Sequence, residues 1–249
     1  MADFTPVQYG AAWNSAAAVP GTICGFEAVP AIKNVAVGFA DRMQTTGHSE
    51  SFRWGNANAW ATDFEHPERT STGMSLHFID DVHLMYFAGH GAKEEAASFA
   101  SDHYGCRAYY ENMRLGVKKL RWLVLDVCDA VTFPVPDSVM RVWSKPTDGD
   151  AAHPEQALCV LCTFAEKSFP GLNTERGGDF AVAVSRGTPV GTAWLDSAFA
   201  RSGSRTNKPV AMACGATAHD ALLRRDRGTL AERDLGPVGS RFLAMKWRS

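Results

Sequence analysis

The chain has 249 residues, 45% hydrophobic and 21% charged, with 22 glycines and 12 prolines. Those values exclude a disordered, collagen-like or fibrous chain and leave enough apolar material for a sizeable core. The formal net charge is −2, so there is no overall basic field to favour nucleic acid or an anionic membrane.

No apolar run approaches the roughly 18–20 residues of a membrane helix. The N-terminus, Met1-Ala-Asp-Phe-Thr-Pro6, lacks the positive region and apolar stretch of a secretory signal. The chain is therefore expected in the cytoplasm, with neither membrane nor nucleic acid as partner. Its six cysteines, Cys24, Cys106, Cys128, Cys159, Cys162 and Cys214, are expected to be free thiols in that reducing compartment.

In chain order, residues 1–30 are rich in Ala, Gly and Pro and read as an irregular lead-in. From Ala31 to Gln44, apolar residues recur at spacings of three and four, which predicts an amphipathic helix. Phe52–Trp54 reads as a short strand and Gly55–Asn58 as a turn, with Trp54 and Trp60 as packing anchors. Val82–Ala88 is a nearly continuous apolar run ended by Gly89-His90-Gly91, the pattern of a strand buried on both faces. Residues 93–119 are long enough for a helical crossover, with Glu94-Glu95 in its first turn. Leu120–Cys128 and Ala157–Phe164 are two further buried strands. Between them, Val142–Gln156 carries Pro146, Gly149 and Pro154 and reads as a mobile surface loop. Helices are predicted from Asp179 to Ser185 and, opened by Thr188-Pro189, onward to Gly203. Lys208–Cys214 is a late strand, and the locally basic stretch Arg224–Arg248 reads as solvated surface. This order predicts a single domain over residues 1–249 with one open, mostly parallel α/β sheet.

Ligand sites in such sheets lie beyond the carboxyl ends of the strands. Two consecutive buried strands end at His90 and Cys128. A thiol attacking a carbonyl needs a base, and His is its usual partner. Glycines on both sides of His90 permit a close approach of substrate. The N–H of Gly91, with that of Cys128, is the expected oxyanion donor. A lowered Cys128 pKa is expected to make this thiol the first to alkylate.

Tyr86-Phe-Ala-Gly-His90-Gly91 and Leu125-Asp-Val-Cys128 resemble the two signatures of caspase-like cysteine peptidases (clan CD). Gly177-Gly-Asp-Phe-Ala181 resembles a helix opening of the same clan, and the likeness spans residues 75–215. Phe52–Trp60 with Phe87–Gly91 is similar to a mainly bacterial subgroup of caspase-like proteins. The resemblance implies a three-layer fold, a mostly parallel central sheet flanked by helices. It implies Cys128 as nucleophile, His90 as general base and acid, and Gly91 at the oxyanion. It also implies that Asp126 lines the pocket for the residue before the scissile bond and favours Arg or Lys there. The expected reaction is cysteine-dependent hydrolysis of a peptide or amide bond, with no cofactor and no metal. Two departures stand out. Asp129-Ala130 replaces the Ser-Gly that follows the nucleophile in metacaspases, and no third group orienting His90 can be read.

The same dyad could serve a peptide ligase, a cyclase or an amidase of small natural-product peptides. A catalytically silent, partner-binding module is the rival from another class. Cys159-x-x-Cys162 lies in an apolar strand and is read as two core thiols on opposite sides. His77, His83 and His103 lack ligand spacing, and there is no phosphate loop, dinucleotide fingerprint or serine elbow.

Overall fold

A strand that is apolar throughout can be buried only where both its faces are covered. The computed structural model describes residues 6–16, 24–93, 95–99, 105–143, 158–200, 207–233, 239 and 241–249. In chain order come β1 (Gln8–Trp13), α1 (Ala31–Thr45), β2 (Ser49–Gly55), β3 (Leu84–Ala88), β4 (His90–Ala92), β5 (Glu95–Ser98), β6 (Arg107–Tyr109) and β7 (Trp122–Asp126). The rest are α2 (Asp137–Met140), β8 (Val160–Phe164), α3 (Arg176–Ser185), α4 (Val190–Phe199), β9 (Pro209–Gly215), α5 (Ala218–Arg227) and β10 (Phe242–Trp247).

Seven strands form one mostly parallel sheet in the order β10-β9-β8-β7-β3-β1-β2. The strands from β2 to β8 are parallel neighbours; β9 is antiparallel to β8, and β10 to β9. Every residue of β3, β7 and β8 is buried, as their apolar runs require. Alternate side chains feed two cores. Tyr86, Val124 and Cys162 face one, and Phe87, Leu125 and Leu161 face the other.

The first core is roofed by α1, α3 and α4. Helix α1 buries Ile32, Val35, Ala36, Phe39, Ala40 and Met43, its apolar stripe. Burial of a side chain such as Phe39 contributes about 1.5–3 kcal/mol. Helix α3 crosses α1 closely, because a Cβ on Gly177 would stand 2.2 Å from the Val35 carbonyl oxygen. The second core is covered by α2, short 3-10 turns and a small antiparallel sheet, β4-β5-β6. Helices thus lie on both faces as expected, the longer ones on the first, while the second carries the short α2 with turns and strands.

Several expectations are corrected. The lead-in contains β1, which lies between β3 and β2. Its sequence, Gln-Tyr-Gly-Ala-Ala-Trp, has no β-branched residue to signal a strand. The Phe52 ring lies against the Gly10 backbone, where a Cβ would meet it at 2.2 Å. The crossover after His90 is the β4-β5-β6 sheet rather than a helix, and Glu95 belongs to β5. Val142 is buried in a 3-10 turn, Arg141–Trp143; residues 144–156, like His103 and Glu94, fall outside the described residues. The described part of the basic stretch Arg224–Arg248 is mostly exposed or half-buried, as expected, and carries the last turn of α5 and all of β10.

The cysteines are not all free. Cys24 and Cys106 form a disulfide across 82 residues of sequence, with Cα atoms 5.4 Å apart. Tertiary contact decides that pairing, and composition could not reveal it. Cys159 and Cys162 are buried as expected, but they share one core, because Cys159 precedes β8 and escapes its alternation. No described helix is long and apolar enough to cross a membrane.

Candidate active site

Ala88 of β3 pairs with Asp126 of β7 at the carboxyl ends of two parallel neighbours. His90 and Cys128 each stand two residues beyond that rung, so both leave the sheet at the edge where open α/β sheets bind ligands. The two chains stay together past the rung, and Gly89 N–H donates to the Asp126 carbonyl at 3.1 Å. A Cβ on Gly91 would lie 2.5 Å from the Cys128 carbonyl oxygen, so glycine alone permits this approach. Asp129 follows with φ of 51°, a left-handed conformation uncommon outside glycine. That turn ends the strand run sharply and leaves Cys128 half-buried, whereas Cys159, Cys162 and Cys214 are fully buried.

The Cys128 Sγ accepts a hydrogen bond from Ser168 N–H at 3.2 Å and donates to the Ser168 carbonyl at 3.5 Å. Burial pushes its thiol up, with Asp129 and Asp126 adding to the rise and the Ser168 amide and Arg176 opposing it. The expected lowering of the thiol pKa is therefore reversed, because desolvation outweighs the donors.

His90 is held from one side. Its ring stacks on Phe26, with centroids 5.7 Å apart and planes at 15°, and it hydrogen-bonds the Glu27 main chain. Burial lowers its pKa despite that bond, which favours the neutral imidazole. Its Nε2 is buried without a hydrogen-bond partner. With Sγ bonded to Ser168, no hydrogen bond joins His90 to Cys128. The support for the imidazole thus comes from Phe26 and Glu27, just after Cys24, and the disulfide pins that stretch to Cys106.

Asp126 does not stand free for a substrate cation. Its Oδ2 accepts from Tyr86 Oη at 2.7 Å and from Arg176 Nε at 2.7 Å. Its Oδ1 accepts from Arg176 Nη2 and, at 3.5 Å, from Ser168 Oγ. Arg176 Nη2 also donates to Ser168 Oγ at 2.7 Å. The specificity role expected of Asp126 is corrected to a structural one, since a buried partner within the chain already occupies its carboxylate. Arg176, at the start of α3, and Ser168 were missed in the sequence. The Gly-Gly-Asp-Phe opening beside Arg176 was visible, but nothing local marks an arginine as buried. Among the described residues no cluster of His, Cys, Asp and Glu is arranged to hold a metal ion.

Residues 24–227 match a family model described as a domain of unknown function, DUF6345. The chain belongs to the DUF6345 family. No curated protein matches it. The DUF6345 segment contains His90, Cys128, Ser168, Arg176 and the disulfide, while β1 and β10 lie outside it.

Proposed function

We propose that this chain is a caspase-like cysteine hydrolase of peptide or amide bonds. The observation that carries the reading is the shared rung of Ala88 and Asp126, which sends His90 and Cys128 out of one sheet edge on adjacent strands. The half-buried state of Cys128, alone among the four free thiols, supports it.

In this reading Nε2 of His90 takes the Sγ proton as the sulfur attacks the carbonyl carbon. The tetrahedral oxyanion is met by the N–H groups of Gly91 and Cys128. Collapse breaks the C–N bond, and His90 returns the proton to the leaving amine. Water, deprotonated by His90, then hydrolyses the thioester and restores the thiol. The separated resting side chains require a tightening on substrate binding, as unliganded catalytic groups often do.

A specific observation favours a second reading, a silent partner-binding module: Cys128 is engaged by Ser168 and its thiol is pushed up by burial. The deciding experiment is incubation of the native chain with a mixed peptide library, read by mass spectrometry, beside Cys128→Ala and His90→Ala. The hydrolase reading expects cleavage products with the native chain alone. No products with any form, or equal products with Cys128→Ala, would leave the module reading. The disulfide between Cys24 and Cys106 supports an oxidising compartment in place of the expected cytoplasm.

A further inference from the structure

Beside the disulfide lies an open cavity of about 590 Å³, with Phe26, Tyr109, Arg107 and Glu65 in its wall. Glu65 is 5% exposed. Its carboxylate oxygens accept hydrogen bonds from two neutral groups, Asn112 Nδ2 at 2.9 Å and Thr70 Oγ1 at 3.2 Å. Asn112 and Thr70 line the same cavity. An ionised carboxylate offers about four lone-pair sites, so two bonds fix its orientation and leave acceptor capacity. Among the described residues no cation pairs with it. Arg107, the guanidinium in the wall, bonds Glu95 at 2.6 Å instead. A buried carboxylate without a counter-charge is unfavourable, and burial pushes the Glu65 carboxyl above its ordinary value. A cation entering the cavity would remove that imbalance.

We propose that this cavity binds the protonated amine or guanidinium of a ligand, with Glu65 as counter-ion and the rings of Phe26 and Tyr109 as aromatic walls. The site does not depend on chemistry at Cys128, although Phe26, whose ring also stacks on His90, belongs to both places. The cation has two sources, a free small molecule or a basic side chain of a peptide.

Isothermal titration of the full, disulfide-intact chain tests the proposal with three probes. Butylguanidinium represents the free cation, acetyl-arginine amide the peptide side chain, and butylurea is the neutral isostere. Binding of at least one cation is expected, with butylurea at least about tenfold weaker. Glu65→Gln is expected to weaken the cation about ten- to a hundredfold, the range of a charge-assisted hydrogen bond. Affinity is also expected to fall on acidification, as Glu65 takes up a proton. Binding of butylguanidinium alone names the free source, and binding of acetyl-arginine amide alone names the side chain. Absence of binding by both cations, or equal binding of butylurea, overturns the proposal. The native-chain comparison of butylguanidinium with butylurea holds even if Glu65→Gln does not fold.

Discussion

Arg176 grips Asp126 with both Nε and Nη2, and their side chains are 2% and 0% exposed. The pair lies directly behind the candidate nucleophile. Arg176 also donates to the Ser168 hydroxyl, and the Ser168 main chain holds the Cys128 sulfur. An ion pair in the core thus reaches the site through one serine.

Removing one partner of a buried pair strands the other charge, at about 3–5 kcal/mol. Arg176→Met is expected to reduce the unfolding free energy by that much. Combining it with Asp126→Asn is expected to recover a large part, because no charge is then left alone. Urea unfolding of the native chain and these two variants measures this. A loss below about 1 kcal/mol for Arg176→Met would show that the pair contributes little.

The four free thiols differ in access. Iodoacetamide is expected to modify Cys128 before Cys159, Cys162 and Cys214, which are buried. Its rate should still be climbing at pH 9.0, the ordinary thiol value, because burial holds the thiol protonated. Arg176→Met should slow it further at a given pH, since Arg176 opposes the rise. Peptide mapping after timed quenching reads both effects. Modification of a core cysteine first would contradict the packing around Cys128.

The His90 imidazole is expected to titrate below 6.5 in the folded chain. Its folded value is depressed, so the neutral form is favoured by folding. The resulting stability is complete above 6.5 and is lost as the pH falls through the folded value. Under the hydrolase reading, the acid limb of kcat/KM should lie below 6.5 as well. NMR titration of the imidazole, assigned with His90→Gln, checks the first statement without any substrate. A midpoint above 6.5 would mean that the ring is not buried as described.

The disulfide anchors the stretch that covers His90. Cys24→Ser with Cys106→Ser is expected to reduce stability by about 2–4 kcal/mol, as loss of a cross-link closing a long loop does. The His90 midpoint is expected to move toward 6.5 as Phe26 and Glu27 loosen over it. Thermal unfolding and the same NMR titration follow the two effects. An unchanged His90 midpoint would show that Phe26 and Glu27 keep their places without the cross-link.

The central strands were legible because their burial is total: the runs at Val82–Ala88 and Leu120–Cys128 hold β3 and β7, whose ends carry His90 and Cys128. Helix α1 was legible from its period, since its buried residues are those the spacing selects. β1 was hidden because its centre, Gly10-Ala11-Ala12, is made of small residues with no strand preference. The β4-β5-β6 sheet was hidden because its Ala- and Glu-containing segment is equally compatible with a helix. The fate of Asp126 depended on Arg176, 50 residues away in sequence. Motif spacing places such a carboxylate but does not say what meets it.

The bridge between Cys24 and Cys106 makes the chain part ring and part thread. The ring contains α1, β2, β3 and His90, while Cys128 lies on the thread beyond it. A single cut inside the ring opens a loop without releasing a fragment, so the nicked chain keeps its full mass until a reductant is added. A cut between residues 107 and 127 instead divides the molecule into two separable pieces, His90 on one and Cys128 on the other, joined only by pairing such as that of β3 with β7. Mixing those pieces from chains that lack either His90 or Cys128 would reassemble one intact pair from two defective parents.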